Sequence, residues 1–207
     1  MRRNYLTMTL AALLLVAGSL APGATAETQG WRVDRPHTEV NFSVKHFFTP
    51  VNGSFEDFDI DLQYDPDHPD KSKVSAKIKV ASISTGNERR DNHLRSDDWF
   101  SADEHPYITF ESTRIRKAAN DRLLADGTLT IKGHAQPVTL EIGLLGTRQI
   151  PEQMQEMLGG AKQVASFEAD TWIDRGDYDV GVGSWAGDMV VGKEIGITIL
   201  LEAHEVG

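Results

Sequence analysis

The sequence predicts an all-β fold of eight sequential antiparallel strands with one short helix. Three observations carry this. Apolar side chains recur at every second position in eight separate runs, the mark of strands with one buried face. The runs follow one another through short turns without any βαβ alternation, so neighbours pair antiparallel. One stretch, Ser82 to Phe100, interrupts the alternation with helix-start residues at Thr85 and Asn87 and a dense set of charges.

Taken in order, the first run places Val40, Phe42, Val44 and His46 on one face and Glu39, Asn41, Ser43 and Lys45 on the other. Thr49-Pro50-Val51-Asn52-Gly53 reads as a turn. The second run alternates Phe58, Ile60, Leu62 and Tyr64 with Asp57, Asp59, Asp61 and Gln63; Phe55 has the opposite parity, which predicts a bulge near Glu56-Asp57. After the loop Asp65 to Asp70, the third run carries Val74, Ala76, Ile78 and Val80, and the helical stretch follows it. The fourth runs from Ile108 and Phe110 to about Lys117, and the fifth carries Leu123, Ala125, Gly127, Leu129 and Ile131. Lys132 to Pro137 reads as a turn into Val138, Leu140, Ile142 and Leu144. Ile150 to Leu158 predicts one or two helical turns, with Pro151 at the first position and Gly159-Gly160 at the end. The seventh run holds Phe167, Ala169, Thr171 and Ile173 on one side, then a Gly- and Asp-rich loop spans Arg175 to Asp188. The last run carries Ile195, Ile197, Ile199, Leu201 and Ala203.

The N-terminus has a basic start (Arg2, Arg3), a short apolar core from Leu10 to Ala17 and the small-residue site Ala24-Thr25-Ala26. This predicts a signal peptide over residues 1–26, cleaved after Ala26, and one domain over 27–207. The apolar run is too short for a bilayer core of ~30 Å. The chain has no cysteine, which excludes a disulfide framework and a lipid-modified N-terminal cysteine. The formal charge is −10, and removing Arg2 and Arg3 takes it to −10 − 2 = −12. That balance argues against nucleic acid or an anionic membrane surface as the main partner. The predicted address is a bacterial periplasm, or secretion beyond it, with no stable membrane insertion.

Two architectures satisfy the strand pattern, a sandwich of two sheets or one sheet closed into a barrel. Closure removes exposed edges, and about eight strands enclose room for side chains or one small ligand. Strands of about ten residues, tilted roughly 40°, enclose a lumen on the order of 25 Å long. Alternation does not distinguish a hollow lumen from a filled core.

Several motifs resemble the YceI-like family of exported proteins. They are Trp31 to His46, Val51 to Phe58, Ser82 to Thr85, Arg90-Asp91-Asn92-His93-Leu94, Trp99-Phe100, His105 to Ser112, Gly127 to Gly133, and Ile173 to Tyr178. They cover the mature chain in order. The resemblance implies a lipocalin-like antiparallel barrel, with a short helix at one mouth, whose lumen binds long amphiphiles such as polyisoprenoids, quinone-like molecules or fatty tails. A homodimer is left open, as family members dimerise. Thr38 and Trp99 stand where the family more often has Ser and Phe, and the segment from Pro151 to Gly160 is longer than its usual counterpart.

On that reading the tail would meet Val40, Phe42, Val44, His46, Phe58, Ile60, Val74, Ile78, Ile108, Phe110, Leu129, Leu140, Ile142, Phe167, Ile197 and Ile199. The same residues also make an ordinary β core. Arg89, Arg90, Asp91 and His93 are the candidates for a polar head group, since arginine presents a planar donor fork and a helix start adds backbone donors. The competing reading is an Arg–Asp and His–backbone network tying the helix to the barrel. His46 fits a hydrogen-bonded core histidine better than a ligand contact. The seven histidines show no HxH or HExxH spacing, which gives no metal-site expectation beyond a weak one near His93 and His105. Gly-x-Ser-x-Gly, a thiol nucleophile and phosphate-binding glycine loops are absent. The sequence therefore predicts a non-catalytic carrier of a lipophilic ligand; the alternative is a quinone-linked enzyme, a redox accessory or a weak metal binder.

Overall fold

A computed structural model describes residues 30–206, so the signal peptide expected over residues 1–26 lies outside the described residues. The chain makes eight antiparallel passes in eleven strand segments, because three passes are interrupted. The first pass is β1 (Gly30–Val33) and β2 (Glu39–His46), separated by a 3-10 turn at Arg35–His37. The second is β3 (Thr49–Phe55) and β4 (Phe58–Gln63), and the third is β5 (Lys73–Lys79) and β6 (Ile83–Ser84). Five unbroken strands follow: β7 (Tyr107–Lys117), β8 (Leu123–Ile131), β9 (His134–Gln149), β10 (Gln163–Asp174) and β11 (Val191–Val206). Two helices interrupt the meander, α1 (Glu88–Arg95) after the third pass and α2 (Glu152–Gln155) before β10.

The sheet closes on itself. One side of β11 pairs with β10 along its length, from Glu205 opposite Gln163 to Glu194 opposite Asp174. Its other side pairs with β2, where Leu200 faces Glu39, and with β1, where Val206 faces Gly30. The first and last passes are therefore hydrogen-bonded, which selects the barrel over the sandwich.

The two ends differ. At one, the floor, Trp31, Tyr64 and Phe167 stack edge-to-face with centroids 5.6 and 5.1 Å apart, over fully buried Ala165 and Ala203. At the other, the mouth, β6 pairs only with β3 while β7 pairs with β5 and β8. Helix α1 stands at that split. Arg95 straps it to the third pass, donating from Nε to the Ala81 carbonyl and from Nη2 to the Ile83 carbonyl, both at 2.9 Å. Helix α2 sits at the floor end, where Arg32 donates to the carbonyls of Leu158 and Gly159 at 2.8 and 3.3 Å.

Two expected turns are strands instead, for one shared reason. Thr49 to Gly53 belongs to β3, and only Phe47-Phe48 turns the chain; His134 to Pro137 begins β9, and only Lys132-Gly133 turns it. Proline lacks an N–H and is tolerated in a strand whose proline side is unpaired. Pro50 pairs with Lys45, and β6 reaches only Ser54 and Phe55 of the same strand. Pro137 pairs with Thr128, while β10 reaches only Glu141 to Gln149. Gly53 serves packing, not turning: a Cβ there would lie 2.4 Å from the Phe42 ring. The expected bulge at Glu56-Asp57 is instead a break between β3 and β4: Phe55 pairs with Ile83 and Phe58 with Ile78, so the extra residues lie on the opposite pass, in the 3-10 turn Val80–Ser82.

Candidate functional site

The inward faces of the eight passes do not fill the barrel. They enclose an apolar cavity of about 770 Å³ that runs from the mouth down to Leu62, Phe167 and Leu201 above the floor. Its wall contains Val40, Phe42, Val44, Ile60, Val74, Ile78, Ile108, Phe110, Leu129, Leu140, Ile142, Phe167, Ile197 and Ile199, as the alternation predicts. A lumen of this size lies within the range of small-molecule pockets, roughly 300–1,000 Å³.

Two residues of the expected tail set behave differently. Phe58 is buried but does not line the cavity; where the first pass leaves the sheet at its 3-10 turn, the Arg35 guanidinium lies 4.0 Å over the Phe58 ring and donates to its carbonyl. Phe58 thus covers a gap in the wall. His46 lines the cavity only at its rim, where it is exposed with its ring edge-on to Phe47 at 4.9 Å, so it is not a hydrogen-bonded core residue. Beside it Phe47 and Phe48 are exposed, and the Phe47 N–H donates to the Val190 carbonyl at 2.7 Å, next to exposed Met189.

Helix α1 is held by a knot around Thr85. The Asn87 side chain caps the helix by accepting from the Arg90 N–H at 3.1 Å. The Asp91 carboxylate accepts from the Thr85 N–H at 2.9 Å and from the Thr85 hydroxyl. Arg90 donates from Nε to the Thr85 hydroxyl at 2.7 Å and from Nη2 to the Thr85 carbonyl at 2.8 Å. Asp91 is buried in this knot and lies off the cavity, so the tying role describes it and the head-group role does not. Arg89, Arg90 and His93 do line the mouth. Arg89 is exposed, with no hydrogen-bond or ion-pair partner among the described residues. His93 Nε2 is 3.3 Å from an Asp98 carboxylate oxygen, and its ring packs against Trp99 and Trp185 at 6.0 and 5.2 Å.

The opposite lip hangs on Arg175, the first residue of the connection between β10 and β11. Its side chain, 2% exposed, donates from Nε to the Gly192 carbonyl at 2.9 Å and from Nη1 to Val180 at 2.7 Å and Gly181 at 3.3 Å. Its Nη2 reaches the carbonyls of Trp185, Gly187 and Val191 at 2.8, 2.8 and 3.0 Å. One guanidinium thereby gathers the whole connection between β10 and β11. Burial pulls its pKa below the ordinary arginine value, against the raising influence of Asp174 and Asp188. Gly181 leaves it room: at φ +80°, a Cβ would stand 2.4 Å from Arg175 Nη1 and 3.1 Å from Trp99. Arg175, Trp99, Tyr178 and Trp185 all line the mouth and were absent from the expected set. Arg175 was legible: it is the next residue in the inward series Phe167, Ala169, Thr171, Ile173. Burial pushes the Tyr178 phenol up to about 12, so it stays neutral.

Away from the cavity, the structure brings donor atoms of Asp34, Glu202 and His204 within 4.8 Å of one another. His204 Nε2 lies 3.2 Å from Glu202 and 3.6 Å from Asp34. Glu202 and His204 are two residues apart but Asp34 is distant in sequence, which is why no metal-type spacing revealed the set. His93 and His105 do not form such a set with other ligands among the described residues.

Comparison with known proteins agrees with this architecture. The model of the YceI-like domain matches residues 31–203. Protein YceI of Escherichia coli O17:K52:H18 is 33% identical over 201 residues, covering 94% of this chain and 97% of that protein. Protein YceI of Salmonella arizonae is similar to the same extent. Among solved structures, Burkholderia cenocepacia BcnA superimposes with a TM-score of 0.73 at 27% identity, over 83% of this chain and 99% of that one. A polyisoprenoid binding domain from Saccharophagus degradans, implicated in plant cell wall breakdown, has the same fold at TM-score 0.61 and 13% identity, over 86% of this chain and 99% of its own. With a family model spanning nearly the whole barrel and one residue in three shared with curated relatives, the chain belongs to the YceI-like family.

Proposed function

We propose that the protein binds a long amphiphilic lipid, with a polyisoprenoid, quinone-like or fatty tail, in the barrel lumen and carries it through the periplasm without chemical turnover. The carrying observation is the apolar cavity of about 770 Å³, open at the α1 end and closed by aromatic rings at the other. The tail lies against the wall from Val40 to Ile199, and the head stays at the mouth near Arg89, Arg90 and His93. Each CH₂ withdrawn from water contributes ~0.8 kcal/mol, so a chain of about twenty carbons overcomes the cost of ordering it. The polyisoprenoid binding domain with the same fold supports the tail class. The predicted signal peptide supports the address.

The test is organic extraction of freshly purified protein followed by mass spectrometry. A stoichiometric isoprenoid, quinone or fatty compound is expected; metal without lipid, or neither, overturns the reading. Ile142→Trp sharpens it. Filling the lumen should abolish the copurifying lipid while changing stability by less than about 1 kcal/mol, whereas the same change in a packed core costs 1–3 kcal/mol.

A further inference from the structure

The closing seam of the barrel carries a side-chain cluster that the lumen does not use. Val33 pairs with Ala203 and Glu39 with Leu200, so the 3-10 turn between β1 and β2 leaves Asp34 opposite Glu202. Backbone contacts fix it there. The Asp34 N–H donates to the Glu202 carbonyl at 2.8 Å, and the hydroxyl of buried Thr38 donates to the Asp34 carbonyl at 2.8 Å. Glu202 and His204 alternate with Leu201 and Ala203, so they project from the outer face while Leu201 lines the cavity. His204 is nevertheless buried, its side chain only 7% exposed. Its Nε2 lies 3.2 Å from Glu202 Oε1 and 3.6 Å from Asp34 Oδ2, and that same Asp34 oxygen is 2.9 Å from His37 Nδ1.

Two features of this cluster point to a cation. The first is charge. Two partly buried carboxylates share the space in front of one imidazole, and among the described residues no lysine or arginine nitrogen lies within 4.0 Å of either. Arg32, opposite His204 in register, donates instead to Leu158 and Gly159. A single Nε2 carries at most one proton, so it does not answer both carboxylates. The second is spacing. Donors bound at roughly 2.0–2.2 Å to a tetrahedral ion stand roughly 3.3–3.6 Å from one another, and the two histidine–carboxylate separations lie close to that edge. We infer that Asp34, Glu202 and His204 form a site for one divalent cation of the zinc type, with water in the fourth position. One imidazole beside two carboxylates suits zinc better than magnesium or calcium, which take oxygen shells. The Asp34 and Glu202 side chains are 20% and 29% exposed, which gives the ion a way in from solvent. Bound there, it links the first pass to the last and fastens the seam from outside. The site and the lipid lumen are therefore independent.

The test titrates zinc chloride into full-length mature protein stripped with a chelator, read by calorimetry and by melting temperature, with magnesium chloride as the comparison. Wild type should take up one zinc per chain and melt higher with zinc but not with magnesium. His204→Gln should lose more than about 100-fold in zinc affinity, beyond the range for a residue that only supports a ligand. His134→Gln, which breaks an exposed histidine–carboxylate pair with Asp179 elsewhere on the barrel, should bind zinc as wild type does. A wild type without stoichiometric zinc, a His204→Gln protein that binds it as well, or an equal loss in His134→Gln overturns the inference. Should His204→Gln fold poorly, the imidazole nitrogen resonances of wild type decide. That of His204 should move on adding zinc while that of His134 stays, and movement of neither, or of both alike, overturns the assignment.

Discussion

The barrel's two ends each hold a buried tryptophan, and the two are used in opposite ways. At the floor, Trp31 donates from Nε1 to the Tyr64 carbonyl at 2.9 Å, and its ring packs on Tyr64, which packs on Phe167. At the mouth, Trp99 is as deeply buried, yet its N–H has no acceptor among the described residues. The floor is composed of strand ends with register-paired neighbours and small alanines that let the wall close. The mouth is composed of connections, held together by one arginine and one threonine-centred knot. An end that seals can satisfy all of its polar groups internally. The end built from connections leaves one buried donor without an acceptor among the described residues.

The sharpest way to break this comparison is at Arg175. Arg175→Met removes every donor to six carbonyls and should cost about 3–5 kcal/mol, in the range for deleting one member of a buried polar network. Arg175→Lys should recover less than half of that, because an ammonium has three donors in a compact head and no planar fork. Urea denaturation gives the energies, and hydrogen exchange should place the loss in residues 176–192 while the floor stays protected. A variant within about 1 kcal/mol of wild type would show that the lip does not depend on this side chain.

The paired tryptophans provide a smaller effect of opposite sign. In lipid-free protein Trp31→Phe strands the Tyr64 carbonyl and should lose about 1–3 kcal/mol. Trp99→Phe deletes a donor that has no partner, so it should range from neutral to a gain of about 1 kcal/mol, the smaller ring offsetting part of the benefit. Equal losses at both positions would erase the distinction between the ends.

The eight strands, the parity reversal after Phe55, the capped helix and the inward set were legible because each obeys a local rule, period-two alternation or an Asn cap at position 87; the reversal comes from a break between strands and not from the expected bulge. What escaped depends on partners distant in sequence. Pro50 and Pro137 look like turn residues until it is known that their outer sides have no neighbouring strand. Phe58 keeps the inward parity but is drawn off the cavity by Arg35, from a turn in another pass. Asp91 is the exception with a near partner, its carboxylate turning back to Thr85, whereas Arg90 meets Thr85 and still lines the mouth. His46 continues the apolar face but stands past the last covered turn of the wall. Arg175 lies in the β10–β11 connection, as its Gly- and Asp-rich surroundings predict, but composition does not say that its side chain turns inward, which the parity of Phe167 to Ile173 does. The cavity itself was the least legible feature, since alternation specifies which side chains face inward and not whether they meet.

The smallest expected effect concerns the outer wall and tests whether charge matters away from the mouth. Asp126 bridges three strands, accepting from the Thr139 hydroxyl at 2.8 Å and from Arg116 Nε at 3.1 Å. The Thr139 hydrogen bond, then the Arg116 hydrogen bond and charge, hold its carboxyl below the ordinary carboxylate value. A lowered folded-state pKa means that the unfolded chain binds the proton more readily. The contribution is therefore present in full above the unfolded value of about 3.9, and is lost as pH falls through the lower folded-state value. Wild type should melt slightly above Asp126→Asn between pH 7 and 5, with a constant gap. That gap should begin to close below about pH 4 and vanish once the pH is under the lowered folded-state value, where both proteins carry a neutral side chain. A gap that widens towards acid would mean that Asp126 is protonated more readily in the folded barrel than in the unfolded chain, and that the three-strand bridge does not favour the carboxylate.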